Sequence, residues 1–305
     1  MTYLRNAWYC AGWSPEIGET PIARRLLDEP VLLFRGQAGT IVAIGDMCPH
    51  RFAPLHQGKR IGDVIECPYH GLRFDSTGAC VHNPHGSKKI PAGSSVPAYP
   101  VVERHGAAWI WMGDAASADP ALIPDIELFG DPERADYPRV QDHLVMKVDY
   151  RLLIDNLLDL THAPYLHPDT LTPGEANRES VFTGTATSAK SHYIMRQVKT
   201  PTSQRLFFPK DEGDFHSEVE WLLPSALRHR LTMTGVDAPP EDGSITRNAH
   251  LITPETETSC HYFWVSTRNR LVDNQQVDAG IKQIVNYAFL QEDEPMMQAC
   301  QTYMA

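Results

Sequence analysis

The chain has 305 residues, of which 42% are hydrophobic and 21% are charged, so it is long enough for two ordinary domains and is not a single small module. Its net charge of -11 argues against non-specific binding to nucleic acid or to an anionic membrane, because both need a basic surface. The chain does not start with a basic leader and an apolar run, and nowhere do eighteen apolar residues follow one another, so we expect a cytoplasmic protein.

Short β-rich runs separated by turn signals begin near Val31. Strand-like segments cover residues 31–34, 40–44, 72–75 and 107–112, with glycine-containing turns nearby. The sequence up to about residue 115 therefore predicts antiparallel β-structure.

Two short loops within this β-region each offer one cysteine and one histidine. Cys48 and His50 form a Cys-x-His pattern, and Cys67 and His70 form a Cys-x-x-His pattern after a hairpin-length spacer. A structural zinc site more usually has two cysteines in one arm and two histidines in the other. A two-iron two-sulfur cluster that holds one iron by thiolates and the other by imidazoles suits the mixed arms better. We therefore predict such a cluster, able to accept electrons from a ferredoxin, with zinc as the alternative.

Proline and acidic residues are frequent from residue 114 to residue 139, which is typical of a connection between domains, so we place a boundary near residue 140. Residues 150–167 then begin with helical periodicity, and Asp155, Asp159 and His162 would share one face of that helix. Pro164 would break the helix, so that the chain turns and His167 swings back towards His162. Two imidazoles could then bind one metal ion. The alternative is a solvated helix end with two unrelated histidines.

A carboxylate that could complete this metal site lies far downstream. Residues 281–300 have the periodicity of an amphipathic helix. Asp293 lies on its apolar stripe, whereas Glu292 is rotated further from the stripe and is the weaker ligand candidate. His162, His167 and Asp293 would then form a two-histidine, one-carboxylate site, which leaves open positions on ferrous iron for dioxygen and substrate. An ordinary salt bridge is the alternative role for Asp293.

The remaining part of the second half, residues 168–280, has more β-character, for example in the runs 191–195 and 258–265. It predicts a twisted antiparallel sheet against which the helices pack. Together with the N-terminal β-region this gives an α+β chain of two domains, residues 1–140 and residues 141–305.

These motifs resemble those of the Rieske non-haem iron oxygenases, in particular the aromatic demethylase-type group that includes vanillate and dicamba O-demethylases and the toluenesulfonate methyl-monooxygenase. The resemblance covers nearly the whole chain and rests on Arg5-Asn6-Ala7-Trp8-Tyr9, the two cluster loops, Asn83-Pro84-His85-Gly86, Trp109-Ile110-Trp111, residues 155–159 and residues 251–257. It implies an N-terminal Rieske domain with a linker and a C-terminal helix-grip catalytic domain. The chain departs from the family pattern in ending twelve residues after Asp293.

The resemblance also assigns roles to residues by position. It implies that Cys48 and Cys67 bind one cluster iron, that His50 and His70 bind the other, and that His162, His167 and Asp293 bind the mononuclear iron. It further matches Asn156 to a residue beside that iron, and His229, His250 and Ile284 to positions that contact substrate.

The family is usually a homotrimer in which the cluster of one subunit faces the mononuclear iron of its neighbour. Asp159 matches the acid that bridges the two metal sites in such trimers. We therefore expect Asp159 to form hydrogen bonds with His70 of one chain and His162 of the next, as carboxylates behind metal ligands do.

The resemblance implies the terminal oxygenase of a system in which NAD(P)H supplies electrons through a reductase or ferredoxin. One atom of dioxygen enters a C–H bond and the other leaves as water. With an aryl methyl ether as substrate, the hemiacetal formed would collapse to a phenol and formaldehyde. The expected substrate is a small aromatic carboxylate, paired with a protonated histidine in an apolar pocket. Alternatives are hydroxylation of an aryl methyl group, ring dioxygenation and, from other classes, a non-catalytic Rieske electron carrier or a zinc regulatory protein.

Overall fold

The computed structural model describes residues 3–126, 128, 137–168, 170–171 and 178–304. It contains two compact units, called here the N-terminal unit (Met1–Ile123 with Thr253–Thr256) and the C-terminal unit (Pro124–Ile252 with Glu257–Ala305). The predicted α+β class is confirmed, with antiparallel β-structure in the first unit and a sheet with helices in the second. The predicted domain boundary near residue 140 stays a prediction. Residues 127 and 129–136 of the predicted linker lie outside the described residues.

In its described part, the N-terminal unit is built from small antiparallel sheets with the strand orders β1-β10-β9, β2-β3-β4 and β5-β6-β7-β8. Apolar runs form the inner strands, and Trp8, Trp109 and Trp111 are each about 1% exposed. The strands are β1 (Ala7–Trp13), β2 (Ile22–Leu26), β3 (Glu29–Arg35), β4 (Ile41–Gly45), β5 (Lys59–Ile61), β6 (Val64–Glu66), β7 (Arg73–Phe74), β8 (Cys80–His82), β9 (Val101–Arg104) and β10 (Ala107–Met112).

The two predicted cluster loops lie at the ends of these strands. One loop follows β4, and the other joins β6 to β7. Cys48 and Cys67 pack into the same hydrophobic cluster as Phe34, Ile65 and Phe74. The loops are therefore supported by a packed β-core.

A single antiparallel sheet of seven described strands forms the centre of the C-terminal unit, in the order β11-β17-β16-β15-β14-β13-β12. Along β13, Ser191, Tyr193 and Met195 are buried and the residues between them are less so, as expected for a strand with one face towards a core. The strands are β11 (Val140–Met146), β12 (Arg178–Gly184), β13 (Ser188–Lys199), β14 (Glu212–Leu222), β15 (Ala226–Thr234), β16 (Ser244–Thr256) and β17 (Ser259–Arg268).

Helices cover one face of this sheet through a shared core in which Leu153, Leu157, Phe289 and Met297 pack with Trp264. The helical segments are α1 (Tyr150–Leu158), α2 (Ala163–Leu166), α3 (Gln275–Tyr287), a π-helical turn (Ala288–Asp293) and α4 (Glu294–Gln301). Side-chain oxygens of Asp149 and Asn274 cap the first turns of α1 and α3. No helix of the described residues is long and apolar enough to cross a membrane.

Candidate metal centres

The two cluster loops have matching backbone geometry. The amide of Cys48 donates to the carbonyl of Ala53, and the amide of Phe52 donates back to the carbonyl of Cys48, both at 2.9 Å. The second loop repeats the pair, from Cys67 to Leu72 at 2.8 Å and from Gly71 to Cys67 at 3.0 Å. The fourth residue after each cysteine has a positive φ, 58° at Phe52 and 72° at Gly71. Each cysteine is therefore held in a tight turn by hydrogen bonds of the backbone.

The four side chains predicted to hold the cluster are arranged as an inner sulfur pair and an outer imidazole pair. Cys48 and Cys67 are 1% and 2% exposed. Burial raises the pKa of the Cys48 thiol and Cys67 is near enough to help raise it, although the backbone amide of His50 opposes this. The rings of His50 and His70 lie 4.5 Å apart by centroid. Two sulfurs together and two imidazoles together are the donor set that a mixed-ligand two-iron cluster needs.

The second set of predicted ligands also comes together. The Nε2 atom of His167 is 3.1 Å from Oδ1 of Asp293, and Nε2 of His162 is 3.6 Å from the same oxygen. One ligand atom from each of the three residues lies within 4.8 Å of the others. Bonds of about 2.1 Å to a metal ion place neighbouring ligand atoms roughly 3 Å apart, so this group fits a single ion.

The chain reaches this arrangement by a different route from the one that the sequence predicts. Pro164 does not break a helix at Ala163, because Ala163 is helical and Pro164 lies in the first turn of α2, where proline is tolerated. The helix ends earlier, at Leu158, where Asp159 has φ -93° and ψ 84°. Asp155 and His162 are therefore not on one face of a continuous helix, and a 3₁₀ turn at Leu160–His162 turns the chain instead.

Hydrogen bonds hold the far side of each imidazole. The Nδ1 atom of His162 bonds to the backbone carbonyl of Asp159, and Nδ1 of His167 is 2.7 Å from Oε2 of Glu292. Both Nε2 atoms are left facing Asp293. Burial lowers the pKa of His167, but its hydrogen bonds and ion pairs with Asp293 and Glu292 outweigh burial and raise that pKa overall.

Asn156 lies beside the metal-binding group, as predicted, and its amide donates to Oδ1 of Asp293 at 3.0 Å. Asp293 is 2% exposed, so this amide supplies a hydrogen bond that water would otherwise have to supply. The side chain of Asp159 caps the 3₁₀ turn by accepting from the amide of Thr161 at 2.9 Å. Within the chain the Asp159 backbone carbonyl bonds to His162, and the bonds expected from the Asp159 side chain to His70 and His162 of neighbouring subunits stay a prediction.

A largely apolar cavity of about 180 Å³ opens beside the three ligands. The three residues expected to contact substrate, His229, His250 and Ile284, all line it, and their contact with a substrate stays a prediction. The Nδ1 atom of His250 is 2.7 Å from the hydroxyl oxygen of Tyr262. The Nε2 atom of His250 is buried with no hydrogen-bond partner among the described residues. Tyr262 and Ser217, which bonds to His229 at 2.8 Å, carry no motif in the sequence.

Burial favours the neutral form of both histidines in the cavity. Burial lowers the pKa of His229 to about 4, and burial together with repulsion from His229 lowers the pKa of His250 well below its usual value. Burial therefore opposes the expected protonated histidine, and its pairing with a substrate carboxylate stays a prediction. Burial raises the pKa of Tyr262 well above its usual value, so the phenol stays protonated and can donate a hydrogen bond to His250.

Two donor sets of this kind in one chain, a mixed sulfur and imidazole set and a two-histidine, one-carboxylate set, define an iron-dependent redox protein. Comparison with known families agrees. Residues 7–100 match the Rieske [2Fe-2S] domain, and residues 146–305 match the vanillate O-demethylase oxygenase C-terminal domain.

Individual relatives match over almost the whole chain. The oxygenase component of dicamba O-demethylase from Stenotrophomonas maltophilia is 37% identical, over 98% of this chain and 88% of the relative. The oxygenase component of chloroacetanilide N-alkylformylase from Rhizorhabdus wittichii is 37% identical, over 99% and 87%. The crystal structure of dicamba monooxygenase bound to 3,6-dichlorosalicylic acid superposes with a TM-score of 0.90 at 36% identity, over 99% of this chain and 89% of that one.

The chain therefore belongs to the Rieske non-haem iron oxygenases. The predictions of an oxidoreductase, of the oxygenase component of an O-demethylase-type system, and of a Rieske cluster with non-haem iron as cofactors are confirmed.

Proposed function

We propose that this chain is the terminal oxygenase of a system that oxidises a small aromatic substrate, with oxidative O-demethylation of a small aromatic acid as its reaction. The observation that carries the proposal is that His162, His167 and Asp293 lie in the wall of the apolar cavity. A metal ion held by these residues would be within reach of a C–H bond of a molecule bound there.

Two cofactors fit the donor sets. Cys48, Cys67, His50 and His70 would hold the two-iron cluster, and His162, His167 and Asp293 would hold ferrous iron. When bound, these groups supply single electrons and the activation of dioxygen, with the electrons drawn from NAD(P)H through a reductase or ferredoxin. The chain itself orients the ligands, and Asn156 fixes the Asp293 carboxylate by its hydrogen bond to Oδ1.

His250 would recognise a hydrogen-bond acceptor on the substrate. Among the described residues Tyr262 has no second partner for its hydroxyl, so the phenol is satisfied by donating to Nδ1 of His250. That tautomer carries its proton on Nε2, which is buried and otherwise unpaired. A carboxylate oxygen on an aromatic ring would accept this hydrogen bond. Ile284 and Phe289 line the same cavity and would contact the apolar ring.

We also propose that the enzyme is a cytoplasmic homotrimer in which Asp159 connects the cluster of one subunit to the mononuclear iron of the next. Asp159 is exposed and lies between the end of α1 and the 3₁₀ turn that carries His162. This location supports a bridging role for Asp159 between subunits. His50 is exposed and His70 is partly exposed, so the imidazole side of the cluster loops is accessible to a partner.

The test combines metal content with product formation. The purified chain is loaded with iron and sulfide and supplied with NADH and a reductase that serves Rieske oxygenases. It is then incubated with methoxybenzoates in air. We expect about three irons per chain and formaldehyde release that depends on oxygen. About two irons per chain with no product would instead favour an electron carrier. Methylbenzoates converted to benzyl alcohols, without formaldehyde from methoxybenzoates, would favour methyl hydroxylation.

The carboxylate part of the proposal has its own control. A methoxybenzamide keeps the acceptor oxygen but carries no charge, and a methoxytoluene has neither. We expect His250→Phe to raise KM for the benzoate about 10- to 100-fold, the effect of losing a hydrogen bond to a charged group, and to leave KM for the methoxytoluene unchanged. Equal effects on both substrates would contradict the assigned contact.

A further inference from the structure

Two consecutive acidic side chains on the π-helical turn contact opposite sides of one imidazole. The ring of His167, whose side chain is 3% exposed, meets Oε2 of Glu292 at Nδ1, 2.7 Å away, and Oδ1 of Asp293 at Nε2, 3.1 Å away. On a regular helix, neighbouring side chains diverge by about 100°. The π-helical turn at Ala288–Asp293 sets this pair so that it straddles the ring.

These positions separate the two acids by role. The Nε2 atom of His162, the Nε2 atom of His167 and the amide of Asn156 all face Asp293, so an ion held by this group lies on the Nε2 side of His167. Glu292 lies on the Nδ1 side of the same ring. Its carboxylate therefore bonds to a ligand and is not itself placed to complete the metal-binding group.

Glu292 is itself held in position from a second direction. The hydroxyl of Thr170 donates to the same Oε2 atom at 3.1 Å, and the Glu292 side chain is 17% exposed. An acceptor fixed in this way keeps the proton of His167 on Nδ1 and leaves the lone pair of Nε2 for a metal ion.

The two imidazoles of the site are supported unequally. His162 donates from Nδ1 to the backbone carbonyl of Asp159, which is a neutral acceptor, whereas His167 donates to a carboxylate. A charged acceptor makes the imidazole a stronger electron donor to a metal ion than a neutral one does. His167 should therefore be the stronger of the two histidine ligands.

We infer that Glu292 is a positioning residue that sets the orientation, tautomer and donor strength of His167 and so controls metal affinity at the His162, His167 and Asp293 group. The inference rests on the proposed function of that group as the mononuclear metal site. It differs from the sequence expectation, in which Glu292 was only a weaker rival of Asp293 as a ligand.

The experiment measures metal affinity in the full chain with its cluster in place. A chelator removes the mononuclear metal, and Co(II) is then titrated back while its visible ligand-field bands and the cluster absorption are recorded. We expect Glu292→Ala to weaken Co(II) binding about 10- to 100-fold with unchanged cluster absorption. Glu292→Gln keeps a neutral acceptor for Nδ1 and should lose less, and Thr170→Val should lose least.

Glu294→Gln is the matched control, because it makes the same charge change two residues along the chain, where Glu294 accepts from the amide of Lys147. It should bind Co(II) like the unmodified chain. If Glu292→Ala and Glu292→Gln both bind Co(II) normally with unaltered bands, the inference is overturned. If the unmodified chain and His162→Ala bind Co(II) equally well, the assigned metal site itself fails. Should Glu292→Ala not fold, Glu292→Gln and Thr170→Val decide the inference.

Discussion

The two candidate centres position their metal ligands by different means. The cluster donors come from residues 48–70, and two backbone turns with identical hydrogen-bond spacing fix them. The second centre joins segments far apart in sequence, for example His167 and Glu292, which are 125 residues apart. Side-chain hydrogen bonds orient its ligands. The first centre therefore depends mainly on local backbone conformation, and the second on the packing of α1 and the π-helical turn against the sheet.

If the two centres are organised independently, a substitution can remove the metal from one centre and leave the other intact. The resulting loss of turnover is the largest effect that we expect. Cys67→Ser should remove the cluster, because a serine hydroxyl is a poor replacement for a thiolate. His162→Ala should keep the cluster absorption and lose Co(II) or iron binding at the second centre. Turnover should fall to background in both variants. Loss of the cluster in His162→Ala, by visible spectroscopy, would show that the centres are not independently organised.

Asp159→Asn tests the connection proposed between the two centres. The capping bond to the amide of Thr161 can be kept by an asparagine oxygen, and the carbonyl that holds His162 is unchanged. We therefore expect both metals to remain bound while turnover falls about 100-fold, the upper range for loss of a carboxylate behind metal ligands. Wild-type turnover with coupled oxygen uptake in this variant would contradict the bridging role.

How much of each centre the sequence predicts follows from the same contrast. The cluster motif could be predicted because its four donors and their turns are local. The three distant ligands were also named, but the way the chain brings them together was not, because the break at Asp159 depends on a backbone conformation that no residue there requires. Tyr262 and Ser217 carry no signal in the sequence, and the sequence indicates Glu292 only as a weaker ligand candidate than Asp293. Their importance arises only when the π-helical turn and neighbouring strands bring them to a histidine.

The buried His229 in the wall of the cavity predicts a pH dependence of stability. Because the pKa of His229 is about 4 in the fold and about 6.5 in the unfolded chain, the folded state binds fewer protons between these values. The free energy of unfolding should therefore fall as the pH falls from 6.5 towards 4, by up to about 1.4 kcal/mol per pH unit for this histidine. Urea denaturation followed by tryptophan fluorescence can measure this, and His229→Gln should remove its share of the slope. An identical slope in that variant would contradict the assignment.

The smallest effect distinguishes the two matching turns of the cluster loops. Gly71 and Phe52 occupy equivalent positions with positive φ, which costs a residue with a Cβ about 1–2 kcal/mol. Gly71→Ala incurs this cost, and its Cβ would also lie 3.1 Å from Cγ of Pro84. We therefore expect the free energy of unfolding, followed by loss of the cluster absorption in a urea titration, to fall by about 1–2 kcal/mol.

Phe52→Gly relieves the same strain, but the unfolded chain gains about 1 kcal/mol of conformational freedom, and the Phe52 side chain is 71% exposed, so little packing is lost. Its cluster stability should therefore stay within about 0.5 kcal/mol of the unmodified chain. If the two substitutions have equal effects, the turns are not backbone equivalents, and the cluster loops depend on side-chain packing as the second centre does.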